Sequence, residues 1–326
     1  MDRRSLLRAA GAIGAMAASP WTARADAPWP NRPIRFVVPF AAGGGSDIVA
    51  RLLSDELGRA LNTTLLVDNR PGMAASLGAD IVAKSPPDGY TILFCTPGVQ
   101  ITNPFLYSKL PYDPERDFTA ISLLGRLPNL LVVHPDLPVK SVSDLISYAK
   151  ANPEKLSYSS TGKGSTSHLA CELFKSMAGI QMVHVPYKGS GPAMLDLLSG
   201  RVQVTIDSYT VLVSNVQKAG LRAVGISTER RFAEMPDLPA IAETLPGFEG
   251  SSLLYIAAPA NTPRDIVMKL NNAFNVTISK PEIESRLREL GLSASPGAPE
   301  LLASVVQEER VKWKHVIEIS GAKATD

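Results

Sequence analysis

The amino-acid sequence predicts an α/β fold built in two halves, each a mainly parallel sheet flanked by helices. Three observations carry this expectation. From residue 34 onward, short β-branched runs alternate with amphipathic segments, the pattern of parallel strands covered by helices. The 326 residues, 45% of them hydrophobic, are enough to fill a core in each of two domains. A strand that ends in a glycine-bearing turn and then opens a helix occurs twice, at Val37–Asp47 and at Tyr158–His168.

Taken in order, the first strand covers Ile34–Pro39 and its helix Asp47–Leu61; strand and helix follow at Leu65–Asp68 and Ser76–Lys84, and a third strand at Thr91–Thr96 leads into a proline-containing connection. The rhythm resumes with strand Leu130–His134, helix Val142–Ala151, strand Leu156–Ser160, helix Thr166–Ala178, strand Met182–Tyr187 and helix Pro192–Leu198. Strands Val202–Asp207 and Leu221–Ser227 come next. Helices near Pro263–Ser279, Pro281–Gly291 and Pro299–Ile319 return the chain to the first domain. Ser141 with Asp144, Thr262 with Asp265 and Ser279 with Glu282 fit the capping-box spacing, and Pro263 suits a first helical position.

The N-terminus reads as an export signal. Arg3, Arg4 and Arg8 form a basic start, Ala9–Ala18 is a short uncharged run, and Ala23-Arg24-Ala25 offers a small-residue cleavage pattern, so residues 1–25 are expected to be removed and Asp26 to begin the mature chain. Arg3-Arg4-Ser5-Leu6-Leu7 also resembles a twin-arginine signal, which leaves both export routes open. Removal takes away four arginines and Asp2, turning the formal charge from +2 to about −1. That balance argues against a nucleic-acid partner. Cys95 and Cys171 read as buried small hydrophobes, with a disulfide between them left open.

The two glycine-bearing turns are the candidate site. Glycine lets the backbone approach a ligand closely, and the free amides at a helix start attract an anion. Each turn is thus a carboxylate cradle, although a tight strand-to-helix turn needs glycine for its own sake. The first contributes Phe40, Gly43, Gly44, Ser46 and Asp47. The second contributes Ser160, Thr161, Gly162, Gly164, Ser165 and His168, with the Gly164 and Ser165 amides as the expected carboxylate donors. Lys188, at a strand end, could pair with a distal acid. Nucleotide binding is disfavoured because Thr161–Thr166 lacks the G-K-[ST] core and Gly43–Gly45 does not fit G-x-G-x-x-G. A hydrolase built on Ser165, His168 and Asp207 lacks a G-x-S-x-G elbow, and Ser165 better suits a helix cap. His134, His168, His184 and His315 show no metal-ligand spacing, so no metal and no cofactor are expected.

At these same residues the chain resembles the substrate-binding proteins of tripartite tricarboxylate transporters, the Bug-type receptors. The resembling blocks run from Trp29-Pro30-Asn31-Arg32-Pro33-Ile34 through V-V-P-F-A-A-G-G-G-S-D, Asp68-Asn69-Arg70-Pro71-Gly72, Pro87-Asp88-Gly89-Tyr90-Thr91, Leu110-Pro111-Tyr112-Asp113-Pro114 and His184-Val185-Pro186-Tyr187-Lys188-Gly189 to Pro236-Asp237-Leu238-Pro239 and Ala257-Ala258-Pro259. The resemblance implies a periplasmic-binding-protein (Venus-flytrap) fold with ligand in the interdomain cleft. Domain I would comprise 26–124 plus 249–326, and domain II 125–248. It adds Tyr187, Lys188 and Asp207 as side-chain contacts. One departure stands out: Ala42 occupies the place where the family usually has proline before its glycines. The implied function is a monomeric, non-enzymatic periplasmic receptor for a small carboxylate, whether a di- or tricarboxylate, an acidic amino acid or an aromatic acid. Its implied partners are the membrane components of a tripartite tricarboxylate transporter, or alternatively a sensor kinase.

Overall fold

The computed structural model describes residues 28–323 except Gly44, Lys188 and Ala219. The expected leader, 1–25, lies outside the described residues. In chain order the strands are β1 Ile34–Val38, β2 Leu65–Asn69, β3 Thr91–Cys95, β4 Phe118–Leu127, β5 Asn129–Val133, β6 Ser157–Ser160, β7 Val183–Pro186, β8 Val204–Ser208, β9 Arg222–Ile226, β10 Ser252–Pro259 and β11 Ser293–Ala294. The principal helices are α1 Gly45–Leu61, α2 Ser76–Ala83, α3 Val142–Ala151, α4 Thr166–Ala178, α5 Ser190–Leu198, α6 Tyr209–Lys218, α7 Arg264–Ile278, α8 Pro281–Glu289 and α9 Pro299–Ser320.

Two sheets result, a six-stranded one ordered β11-β4-β10-β3-β1-β2 and a five-stranded one ordered β7-β6-β8-β5-β9. The α/β class stands, but the sheets are mixed rather than mainly parallel. β2, β1 and β3 run parallel, as do β7, β6 and β8, whereas β10 lies antiparallel to both β3 and β4, and β5 antiparallel to both β8 and β9. The cause is the connectivity. β4 enters the second half with only Pro128 before β5, and β10 returns to the first sheet after residues 227–251, so the strands that carry the crossings are joined without a covering helix.

The two crossings touch. The Asn129 amide donates to Ser227 Oγ (2.8 Å) and its side-chain Nδ2 to the Gly250 carbonyl (2.6 Å), while the Ser227 and Gly250 amides donate to the Asn129 and Ser227 carbonyls (both 2.9 Å). Asn129, Ser227 and Gly250 are all buried, so these polar groups have no water to fall back on.

Period-2 alternation explains the packing of β1. Ile34, Phe36 and Val38 join a core with Leu53 of α1 and Phe274 of α7, while Val37 faces the opposite layer. Phe36 meets the Phe94 and Phe274 rings at 6.2 Å each. The last helix, α9, packs on the segment Gly98–Thr102 of the first half and on α4 of the second, with Trp313 fully enclosed. Cys95 and Cys171 are buried free thiols.

Among the caps, Ser141 Oγ accepts the Asp144 amide at 3.1 Å as expected. The other two differ. Thr262 turns its hydroxyl to the Pro259 carbonyl, leaving Pro263 as the N-cap, and α8 is capped at Lys280 rather than Ser279 because Pro281 already supplies a helical first residue.

Candidate functional site

In each sheet the chain reverses its direction of winding at one place: between β1 and β3 in the first, and between β6 and β8 in the second. The loops leaving the carboxyl ends of those strands frame the crevice in which open α/β sheets bind ligands. These are the two glycine-bearing turns. A Cβ placed on Gly164 would come within 2.7 Å of Leu106 Cδ1, so the second turn lies against the first half's segment between β3 and β4.

The first turn is braced by Asp47. Its Oδ2 accepts the Gly43 amide (2.8 Å) and Arg51 Nε (2.9 Å), its Oδ1 accepts Asn69 Nδ2 (3.0 Å), and Asn69 also donates to the Phe40 carbonyl (3.0 Å). The Arg51 hydrogen bond, with help from Gly43 and Asn69, holds the Asp47 carboxyl down to about 2 against the effect of burial. With its oxygens so engaged, Asp47 holds the loop together. Phe40 is half-buried and packs on the cores at both faces of the first sheet. What this side offers an anion is the start of α1, where the amides of Gly45, Ser46 and Asp47 precede the first hydrogen-bonded turn. Gly43 adopts φ +81°, which favours glycine there. Gly44 lies outside the described residues.

The second turn closes on itself more tightly. Ser165 is the N-cap of α4: its Oγ accepts the His168 amide at 3.3 Å and donates to the Gly162 carbonyl at 2.7 Å. The Thr161 amide donates to Ser167 Oγ (2.9 Å) and the Gly162 amide to Ser160 Oγ (3.3 Å). Of the expected carboxylate donors, the Gly164 amide is given to His168 Nδ1 (3.0 Å) and the Ser165 amide to the Gly162 carbonyl (3.2 Å). The turn folds back because Gly162 and Gly164, at φ +137° and +77°, let it. The amides of Thr166 and Ser167, the first two residues of α4, have no acceptor within the helix.

Behind this turn three rings stack. His168 lies on His184 at 4.0 Å between centroids and His184 on Tyr158 at 4.8 Å, with interplanar angles of 15° and 13°. His184 Nε2 sits 2.6 Å from Ser160 Oγ. Burial pushes both imidazoles below their ordinary range, His184 to about 3, where the neighbouring His168 and Lys175 add to the effect. Sequence reasoning missed His184, Ser167 and Asn69. The register of β6 on β7, which pairs Tyr158 with His184, is the missing information.

Two more expected contacts are engaged elsewhere. The Tyr187 hydroxyl donates to Asp196 Oδ2 (2.7 Å), turning away toward α5, and Asp207 accepts the Ser208 amide (2.8 Å) and Ser190 Oγ (3.1 Å). Burial raises the Asp207 carboxyl. Ser165 meets His168 at its backbone amide, while the His168 ring and the Asp207 carboxyl bind other groups, so these three side chains form no hydrogen-bonded relay. Lys188 lies outside the described residues.

The sequence profile of the tripartite tricarboxylate transporter family receptors matches residues 49–322. A protein encoded in the tcbD-tcbE intergenic region of Pseudomonas sp. (strain P51) is 39% identical over 319 residues, covering 97% of this chain and 94% of that protein. A solved R. palustris protein with adipate superposes with a TM-score of 0.81 at 39% identity, covering 90% of this chain and 99% of that one. MatC from Rhodopseudomonas palustris, with bound malate, superposes with a TM-score of 0.75 at 34% identity over 89% of this chain and 100% of its own. With a glycine turn opening a helix in each half and this family match along most of its length, the chain belongs to the tripartite tricarboxylate transporter family of periplasmic solute-binding receptors.

Proposed function

We propose that this receptor binds a small dicarboxylate, holding one carboxylate on the Thr166 and Ser167 amides at the head of α4 and reaching the first half through the Gly45–Asp47 amides at the head of α1. The observation that carries this reading is that each half opens a helix from a glycine turn where its sheet reverses winding, and that Gly164 of the second turn lies against Leu106 of the first half. The adipate and malate bound by relatives at 39% and 34% identity support a ligand with two acidic ends. Thr161, Ser160 and Asp207 line the second side; Asp207, raised by burial, favours a ligand that brings a donor toward it.

The halves act as two domains, 26–124 with 249–326 and 125–248, joined through the two crossings. Residues 1–25 are the export leader, and the loaded receptor, a monomer without catalytic activity, delivers ligand to the membrane components of its transporter. Adipate at about a hundred times its Kd should raise stability by about 2.7 kcal/mol in a thermal-shift assay and be recovered chemically unchanged. A sugar that shifts the transition while adipate, malate and other carboxylates do not would overturn the assignment.

A further inference from the structure

His168 occupies an unusual place in the second turn. Its own amide is capped by Ser165 Oγ, and its ring Nδ1 accepts the Gly164 amide at 3.0 Å, a variant of the capping box in which an imidazole takes the amide of the residue before the N-cap rather than that of the N-cap itself. An Nδ1 that accepts must carry no proton, so the neutral ring bears its hydrogen on Nε2. The ring cannot readily swing aside, being 5% exposed and stacked on His184, which is itself stacked on Tyr158.

We propose that His168 is a positioning residue whose unprotonated Nδ1 holds the Gly162–Ser165 turn in the shape that presents the Thr166 and Ser167 amides, so that the receptor loads at neutral pH and unloads in acid. This rests on the carboxylate-binding reading of that turn. Protonation converts Nδ1 from an acceptor into a donor that opposes the Gly164 N–H, and the turn loses the bond that closes it. The charged groups around the ring are Glu172 and Lys175 on its own helix and Lys163 in the turn, with His184 of β7 and Tyr158 of β6 packed beneath. Glu172, which alone favours the imidazolium, is already occupied by the Tyr158 hydroxyl and by Lys175 Nζ at 2.7 Å. Burial and the two lysines keep the ring neutral.

The sign separates this role from direct contact, because an imidazolium touching a carboxylate would bind it more tightly in acid. The ligand-free mature protein is followed by NMR from about pH 8 to pH 4.5, reading the Gly164 amide and the His168 ring nitrogens. The Gly164 amide should shift and lose protection with the same midpoint as the His168 ring. Calorimetry with adipate at neutral and acid pH should show wild-type affinity falling in acid. At neutral pH His168→Ala should lose about three- to tenfold, the worth of one neutral hydrogen bond. His168→Asn, whose Oδ1 can accept the Gly164 amide, should recover most of that loss and flatten the acid dependence, leaving only the ligand's own protonation. Affinity that rises in acid, or an acid slope in His168→Asn equal to wild type, overturns the proposal. If adipate fails to bind at any pH, it is the ligand reading that falls, and the amide titration still decides: a Gly164 amide unmoved while His168 titrates refutes the positioning role.

Discussion

Asn129 should be among the least replaceable polar residues of this receptor. It begins β5 just after the first crossing, and its Nδ2 donates to the carbonyl of Gly250, just before β10 at the end of the second. Asn129→Ala removes that donor and leaves a buried carbonyl without a partner, a loss of about 1–3 kcal/mol, to which a small cavity adds. The remaining ties, from the Asn129 amide to Ser227 Oγ and from the Ser227 amide to the Asn129 carbonyl, use the backbone and survive the change. The expected total of about 2–3 kcal/mol would lower Tm by roughly 4–8 °C, read by calorimetry and by the midpoint of urea unfolding. Asn129→Asp supplies the sign test. At neutral pH it sets a carboxylate against the Gly250 carbonyl and should cost more than alanine, but in mild acid the protonated acid can donate as the amide does, so stability should recover as pH falls. A loss under about 0.5 kcal/mol for Asn129→Ala, or an aspartate variant with no acid recovery, would refute the idea that this bond ties the crossings.

Three further expectations are simpler. Ala74, exposed at φ 48° and ψ 50° in the turn before α2, bears left-handed strain that glycine relieves, so Ala74→Gly should stabilise by about 0.5–1 kcal/mol after the added flexibility of the unfolded chain is deducted; a destabilised variant would contradict this. Ser165→Ala strips the N-cap of α4 and should cost about 1 kcal/mol in chemical denaturation while weakening ligand affinity, whereas unchanged values for both would place the cap elsewhere. Acid should destabilise the fold in two stages. His168 and His184 take their protons at lower pH in the folded chain than in the unfolded one, which binds them below about pH 6.5, and Asp47 stays ionised down to about 2, so stability is full above the unfolded values and is lost as pH falls, by about 1.4 kcal/mol per pH unit for each extra proton the unfolded chain binds. His184→Phe, which keeps the stack but cannot charge, should flatten the first stage in a pH series of urea midpoints.

The residues that were legible in the sequence are those whose roles are set within a few positions. Gly162 and Gly164 announce a backbone turn because their φ values favour no other residue, and Ser165 three places before His168 announces a cap because the first turn of a helix must find an acceptor for its amides. The strands that were missed were set by distance. β10, buried almost throughout between β3 and β4, shows an unbroken apolar run with no alternation, and β4, broken in register by bulges against β10, spans from one sheet to the threshold of the other. The same division runs through the site. Which amides the turn exposes depends on where His168 points, and that depends on a ring contributed from β7 sixteen residues later, held there by the pairing of Tyr158 with His184. Local sequence thus specifies that a capped glycine turn forms at the head of α4, while the register of two neighbouring strands decides which of its amides stay without an internal acceptor.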